Sequence, residues 1–186
     1  MRPALLLGLL LGPGCSAMTG LGLGPTVTTD GVPGFEAHLV FGFGGGGGNG
    51  GATVNAVIGG GFSGRAEEGL LNGGMELSGF IVDDDSLGAR LGLVYTARRR
   101  YPEDGTVASH GVGANVGLYG EISNTGGDAE WGTPFGNISG GHRGEWLMLG
   151  LQAQFDWVWG EGGDYGIASF PLVLEGWWTA ELPRWF

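Results

Sequence analysis

Lysine is absent from this chain: all eight basic residues are arginine, set against 19 Asp and Glu, for a formal net charge of −11 over 186 residues. A surface with no cationic face cannot track a phosphate backbone, which argues against nucleic-acid binding. Cysteine is confined to Cys15, so no internal disulfide can form. Three scattered histidines and that cysteine give no metal-ligand spacing. No segment keeps a helical period, and no apolar run approaches the roughly 20 residues a membrane-spanning helix needs. Cofactor motifs are missing too. The stretch GFGGGGGNGG has neither the Lys-Ser/Thr nor the following helix of a phosphate-binding loop, and DDDSLG lacks a full calcium-loop pattern.

What is plentiful is glycine, 44 residues, together with strict alternation. From Leu87 to Arg100, LGARLGLVYTARRR puts Leu87, Ala89, Leu91, Leu93, Tyr95 and Ala97 on one side of an extended chain. Gly88, Arg90, Gly92, Thr96 and Arg98 fall on the other. The pattern recurs at Phe35–Phe43 against Glu36 and His38, and at Ala52–Ile58 against Thr53 and Asn55. Further along, Leu71, Met75, Leu77 and Ile81 oppose Asn72, Glu76 and Ser78, and the row His110 to Ile122 opposes Ser109, Asn115, Tyr119 and Glu121. A sixth row, Leu147 to Trp159, opposes Gln152, Gln154 and Asp156. A seventh segment near 165–174, and the tail GWWTAELPRWF, bring the count to seven or eight antiparallel strands in a meander. The glycine run 44–51 reads as a flexible loop, Asp83–Ser86 as an acidic turn, and 124–144 as a long loop.

The opening residues read differently. Arg2, the apolar run Ala4–Leu11 and the small residues after it predict a signal peptide over 1–15. This stretch resembles a bacterial lipoprotein signal, although Gly12 and Pro13 stand where leucine and a small residue are usual; the resemblance implies lipidation of Cys15. Residues 16–34, rich in Gly, Thr and Pro, read as a flexible tether, and 35–186 as one β domain.

Which face meets water decides what the protein is. The polar face holds Gly, Ser, Asn and Gln with about one ionisable residue per strand, whereas a solvated sheet face carries many charged chains. It reads as the crowded interior of an eight-stranded barrel, wide enough only for side chains. Glu36, Glu76, Arg90, Glu121, Gln152, Gln154 and Asp156 would gather there, the acids offsetting the buried guanidinium. The runs are near the 9–11 residues of a tilted membrane strand. Tyr95, Trp157, Trp159, Trp177 and Trp178 suit an aromatic girdle. Trp131, Pro134 and Phe135 in the 124–144 loop have no core to satisfy and mark a contact surface.

With its leader, its meander of short amphipathic strands, and Phe186 preceded at alternate positions by Leu182, Ala180 and Trp178, the chain resembles the small bacterial outer-membrane β-barrels. The resemblance implies an all-β, antiparallel up-and-down transmembrane barrel in the outer membrane. Its partners would be outer-membrane lipid and the barrel-assembly machinery, with no cofactor. A barrel too narrow for a wide pore is left with a structural, adhesion or docking role, the 124–144 loop contacting an envelope partner. Catalysis is not expected. Ser109 and His110 point to opposite faces, His142 and Ser139 fall in the loop, and Glu76 with Glu121 read as a structural ion cluster rather than an acid/base pair. The alternative is a lipid-anchored periplasmic soluble barrel or sandwich carrying an apolar ligand. The two readings differ in which of Arg90 and Leu91 looks inward.

Overall fold

The computed structural model describes residues 14–64, 68–83, 86–102, 105–133, 136–161 and 163–181, with the backbone alone at 68, 127–133, 136–143 and 181. Its elements are all strands: β1 (Gly14–Thr28), β2 (Pro33–Gly47), β3 (Gly50–Ser63), β4 (Glu68–Val82), β5 (Leu87–Tyr101), β6 (Val107–Asn124), β7 (Gly127–Thr133), β8 (Gly136–Gly160), β9 (Tyr165–Ser169) and β10 (Leu172–Glu181). β1 to β6 pair antiparallel in sequence order, β6 then pairs β8, and β10 pairs both β8 and β1, which closes the sheet on itself. β9 and β10 keep one register against β8 and are a single barrel strand interrupted at Phe170–Pro171, where proline has no N–H to give the ladder. The barrel therefore has eight strands: β1 to β6, β8, and β9 with β10.

Closure carries a stagger. Pairing from Gly20 through Val40, Val57, Gly74, Thr96 and Gly111 arrives at Val158, while Gly20 through Glu175 arrives at Met148, ten residues earlier on the same strand. An eight-stranded barrel with such a stagger tilts its strands by roughly 40° and leaves an interior that side chains fill. One end holds Gly14 and Glu181, and is called here the terminal end. The opposite end is formed by the turns after β1, β3, β5 and β8.

Arg90 is 2 % exposed and Leu91 64 %. The exposed leucines, phenylalanines and valines lie on the outer rows, and the buried charged residues on the inner rows, as in a barrel set in lipid. The tethered apolar carrier needs the reverse.

Several expectations are corrected. Residues 16–34 are no tether: β1 occupies Gly14–Thr28 and pairs along its length with β2, and the eighth strand is this one. Its inward row is Gly14, Ser16, Met18, Gly20, Gly22 and Gly24, so small residues blur the polar signature and the composition imitates a linker. The tail through Glu181 belongs to β10 and continues the seventh segment. The glycine run 44–51 is mostly strand; only Gly48 and Asn49 form the turn, with Gly48 at φ 54° in the left-handed conformation such two-residue hairpins require. The 124–144 loop is a β-hairpin. β7 pairs β8 from Gly127↔Arg143 to Thr133↔Gly136 and carries the β6–β8 pairing beyond the barrel at the terminal end, past a bulge between Glu121 and Ser123. Of the 1–15 segment expected to be a signal peptide, residues 1–13 lie outside the described residues and Gly14 and Cys15 belong to β1; Pro134, Phe135, Leu182 and Phe186 also lie outside the described residues.

Candidate functional site

The lumen is where the charged chemistry collects, because each strand sends alternate residues into it. Two arginines of β5 organise it. Arg90 is paired through Nη1 with Glu175 of β10 and through Nη2 with Glu76 of β4. Arg98 donates from Nη1 to Glu36 of β2 at 2.7 Å and from Nη2 to Asp156 of β8 at 2.6 Å. Each guanidinium thus ties together strands far apart in sequence, and each fork is matched by two carboxylates. Further donors hold the carboxylates in turn. Trp177 Nε1 donates to Glu175 Oε2 at 2.7 Å, Asn72 Nδ2 to Glu36 Oε2 at 3.2 Å, and Gln154 Nε2 to Asp156 Oδ2 at 2.9 Å.

Toward the terminal end the lumen turns apolar. Trp177, 0 % exposed, packs its ring 4.9 Å from Phe80 and edge-on at 4.8 Å from Tyr119, with Met18, Met148 and Trp146 in the same cluster. These residues plug the barrel. Toward the opposite end the lumen opens into a recess of about 140 Å³ lined by Phe62, Tyr165, Ile167, Arg98, Arg100 and Asp164, among others. Behind the Arg98 cluster the free space shrinks to about 20 Å³, room for about one water. The well is blind.

Glycine makes this filling possible. A Cβ on Gly22 would stand 2.4 Å from the His38 ring, and one on Gly92 2.4 Å from Glu76 Oε1. The inward glycines are the space that the long polar chains occupy.

Of the residues expected inside, Glu36, Glu76, Arg90, Gln154 and Asp156 join the two clusters, and Gln152 is buried beside them. Glu121 stands apart: it is half-buried near the bulge and takes part in none of the ion pairs among the described residues, so the Glu76–Glu121 meeting does not occur. Two members escaped notice as such. Arg98 lay in the quoted polar row, and Glu175 has the phase opposite Leu172 and Leu174; both could have been included from strand phase alone. Tyr95, Trp157 and Trp159 lie on the outside, the two tryptophans near the opposite end of β8. Trp177 does not, since adjacent strand residues point apart and Trp178 takes the outer side. Ser109 faces in and His110 out. Trp131 lies on β7 opposite Ile138, its side chain outside the described set.

No protein-family model matches the chain, and no curated protein matches it. Among solved structures, neisserial surface protein A aligns over 90% of this chain and 97% of its own, with a TM-score of 0.52 and 10% identity. The β domain of the Bordetella autotransporter BrkA aligns over 90% and 99% with 12% identity and a TM-score of 0.34. The translocator domain of autotransporter NalP from Neisseria meningitidis aligns over 97% and 92% with 10% identity and a TM-score of 0.32. The first likeness and the pairing above define the class: a closed, antiparallel, eight-stranded β-barrel.

Proposed function

We propose that this protein is an integral β-barrel of the bacterial outer membrane that neither conducts nor catalyses and that acts through its ends, as a structural, adhesion or docking element. The observation that carries the reading is the inversion of polarity: leucines and phenylalanines ring the outer wall while two arginines and four carboxylates are enclosed. In water that arrangement would expose a continuous apolar band far larger than a soluble monomer tolerates. In a bilayer it is the stable one. The plug and the narrow chamber support the absence of conduction. Cys15 belongs to the same reading: it is the second residue of β1 and is exposed, so an acyl chain on its sulfur would enter the surrounding lipid.

Cell fractionation and gel mobility test this. The protein is expected in the outer membrane whether or not Cys15 carries the Cys15→Ser substitution, to migrate differently before and after boiling, and to give no single-channel steps in a planar bilayer. Release of the Cys15→Ser variant as a detergent-free soluble protein would defeat the membrane reading and favour the tethered carrier.

For docking, the β7–β8 hairpin is the element we assign, because it projects beyond the barrel and carries Trp131 within the contact surface expected from sequence. Replacing 127–142 by a short turn should leave the boiling-dependent gel shift intact while removing any envelope protein cross-linked to the intact chain. Retention of the same cross-linked partner would remove the hairpin from consideration.

A further inference from the structure

The outer wall is not uniform. Between β3 and β6, midway along the wall, it carries a shallow, open apolar groove lined by Val54, Met75, Leu77, Leu93, Val112 and Ala114. Its origin is local: Ala114 sits in register between Leu93 and Phe155, so one short side chain stands in a row of long ones. Tyr95, paired with Val112, forms the upper edge of the groove.

Directly above that edge the wall changes character. The Tyr95 hydroxyl and His110 Nδ1 are hydrogen-bonded at 2.9 Å, and the two rings lie stacked with centroids 6.1 Å apart. Trp159 continues the row, 6.4 Å from the His110 ring. With Nδ1 engaged, Nε2 is the polar atom the imidazole has left. Ala97 is the register partner of His110, so Arg99, two residues on, is its diagonal neighbour on the same face, roughly 7–8 Å away. Arg99 is exposed, on the outer side of β5, and joins no ion pair among the described residues. The nearby acid Glu161 accepts the Ala108 N–H through Oε2 at 3.1 Å, and no ion pair joins it to Arg99 among the described residues. Arg99 is also the first charged residue met on the outer row of β5 in passing from Leu87 toward this end. It stands where an apolar belt gives way to headgroups.

From this juxtaposition we propose that the β3–β6 wall holds one anionic phospholipid, an acyl chain lying in the groove over Ala114 and its phosphate received by Arg99 and His110. Charge complementarity selects the occupant. A guanidinium offers paired N–H groups that match phosphate oxygens, the imidazole adds a donor, and the shallow wall below presents apolar side chains to an acyl chain. A zwitterionic lipid such as phosphatidylcholine brings the same phosphate with a quaternary ammonium beside it that Arg99 repels, whereas phosphatidylglycerol presents the phosphate with no cation attached. Inorganic phosphate answers the cation without the chain.

The inference rests on the membrane reading, and the experiment separates the two. Protein reconstituted with equal phosphatidylglycerol and phosphatidylcholine is released from nanodiscs into a mild detergent, and co-purifying lipid is read by native mass spectrometry. The intact chain is expected to retain one phosphatidylglycerol in preference to phosphatidylcholine by about tenfold, undisturbed by excess inorganic phosphate. Arg99→Gln with His110→Gln should abolish the preference, and Ala114→Phe should empty the groove of either lipid, all with an unchanged gel shift on boiling. Equal retention of the two lipids, a preference surviving the double substitution, or displacement by inorganic phosphate would overturn the lipid site and leave the membrane reading standing. A chain that never inserts and shows no gel shift would overturn both.

Discussion

Arg90→Met is expected to destabilise the barrel by about 3–5 kcal/mol, because it strands two carboxylates with no cation. Glu76 and Glu175 approach the same guanidinium from β4 and β10, in a space closed off by Trp177 and Phe80. Without Arg90 they repel each other where solvent cannot screen them. The compensating experiment is as telling as the loss. Adding Glu76→Gln and Glu175→Gln to Arg90→Met removes the stranded charge, and Glu175→Gln still offers an oxygen to the Trp177 N–H. The triple variant should recover most of the deficit, since exchanging a whole buried ionic cluster for neutral groups is often close to neutral. Urea midpoints of the vesicle-folded protein measure both. A single variant as stable as the parent would mean that the two carboxylates are not enclosed together.

Leu93→Arg probes the other face, and its effect is expected to depend on depth. Leu93 is 63 % exposed and lies midway along β5 between Leu87 and Arg99. A cation there should cost about 2–4 kcal/mol, while Tyr101→Arg at the rim should cost only about 0–1 kcal/mol. Folding titrations into phospholipid vesicles would read the difference. Equal and negligible costs at both positions would mean that water bathes this wall, and the outer-membrane assignment would fall with that result.

Strand phase decided much of this in advance. A period of two along six segments assigns Leu91 and Arg90 to opposite faces, and the rarity of charge on the polar face points it inward. That inference works because each residue of a strand takes its side from its neighbours alone. The outward placement of Tyr95, Trp157 and Trp159 is legible for the same reason. Trp177 was misplaced only by neglecting its alternation with Trp178.

Other features have no local signature. The inner row of β1 is five small residues and one methionine, and the composition that reads as a linker is the composition a narrow lumen needs opposite His38 and Glu175. Only closure distinguishes the two, by giving β1 partners on both edges from β2 and β10. Likewise, the sequence supplies arginines and carboxylates but not their pairing: Arg90 meets Glu175 across 85 positions and Arg98 meets Glu36 across 62. Sidedness is a property of the chain itself, written residue by residue in its alternation. Partnership belongs to the closed barrel, because the ten-residue stagger around its girth sets which inward chains share a level.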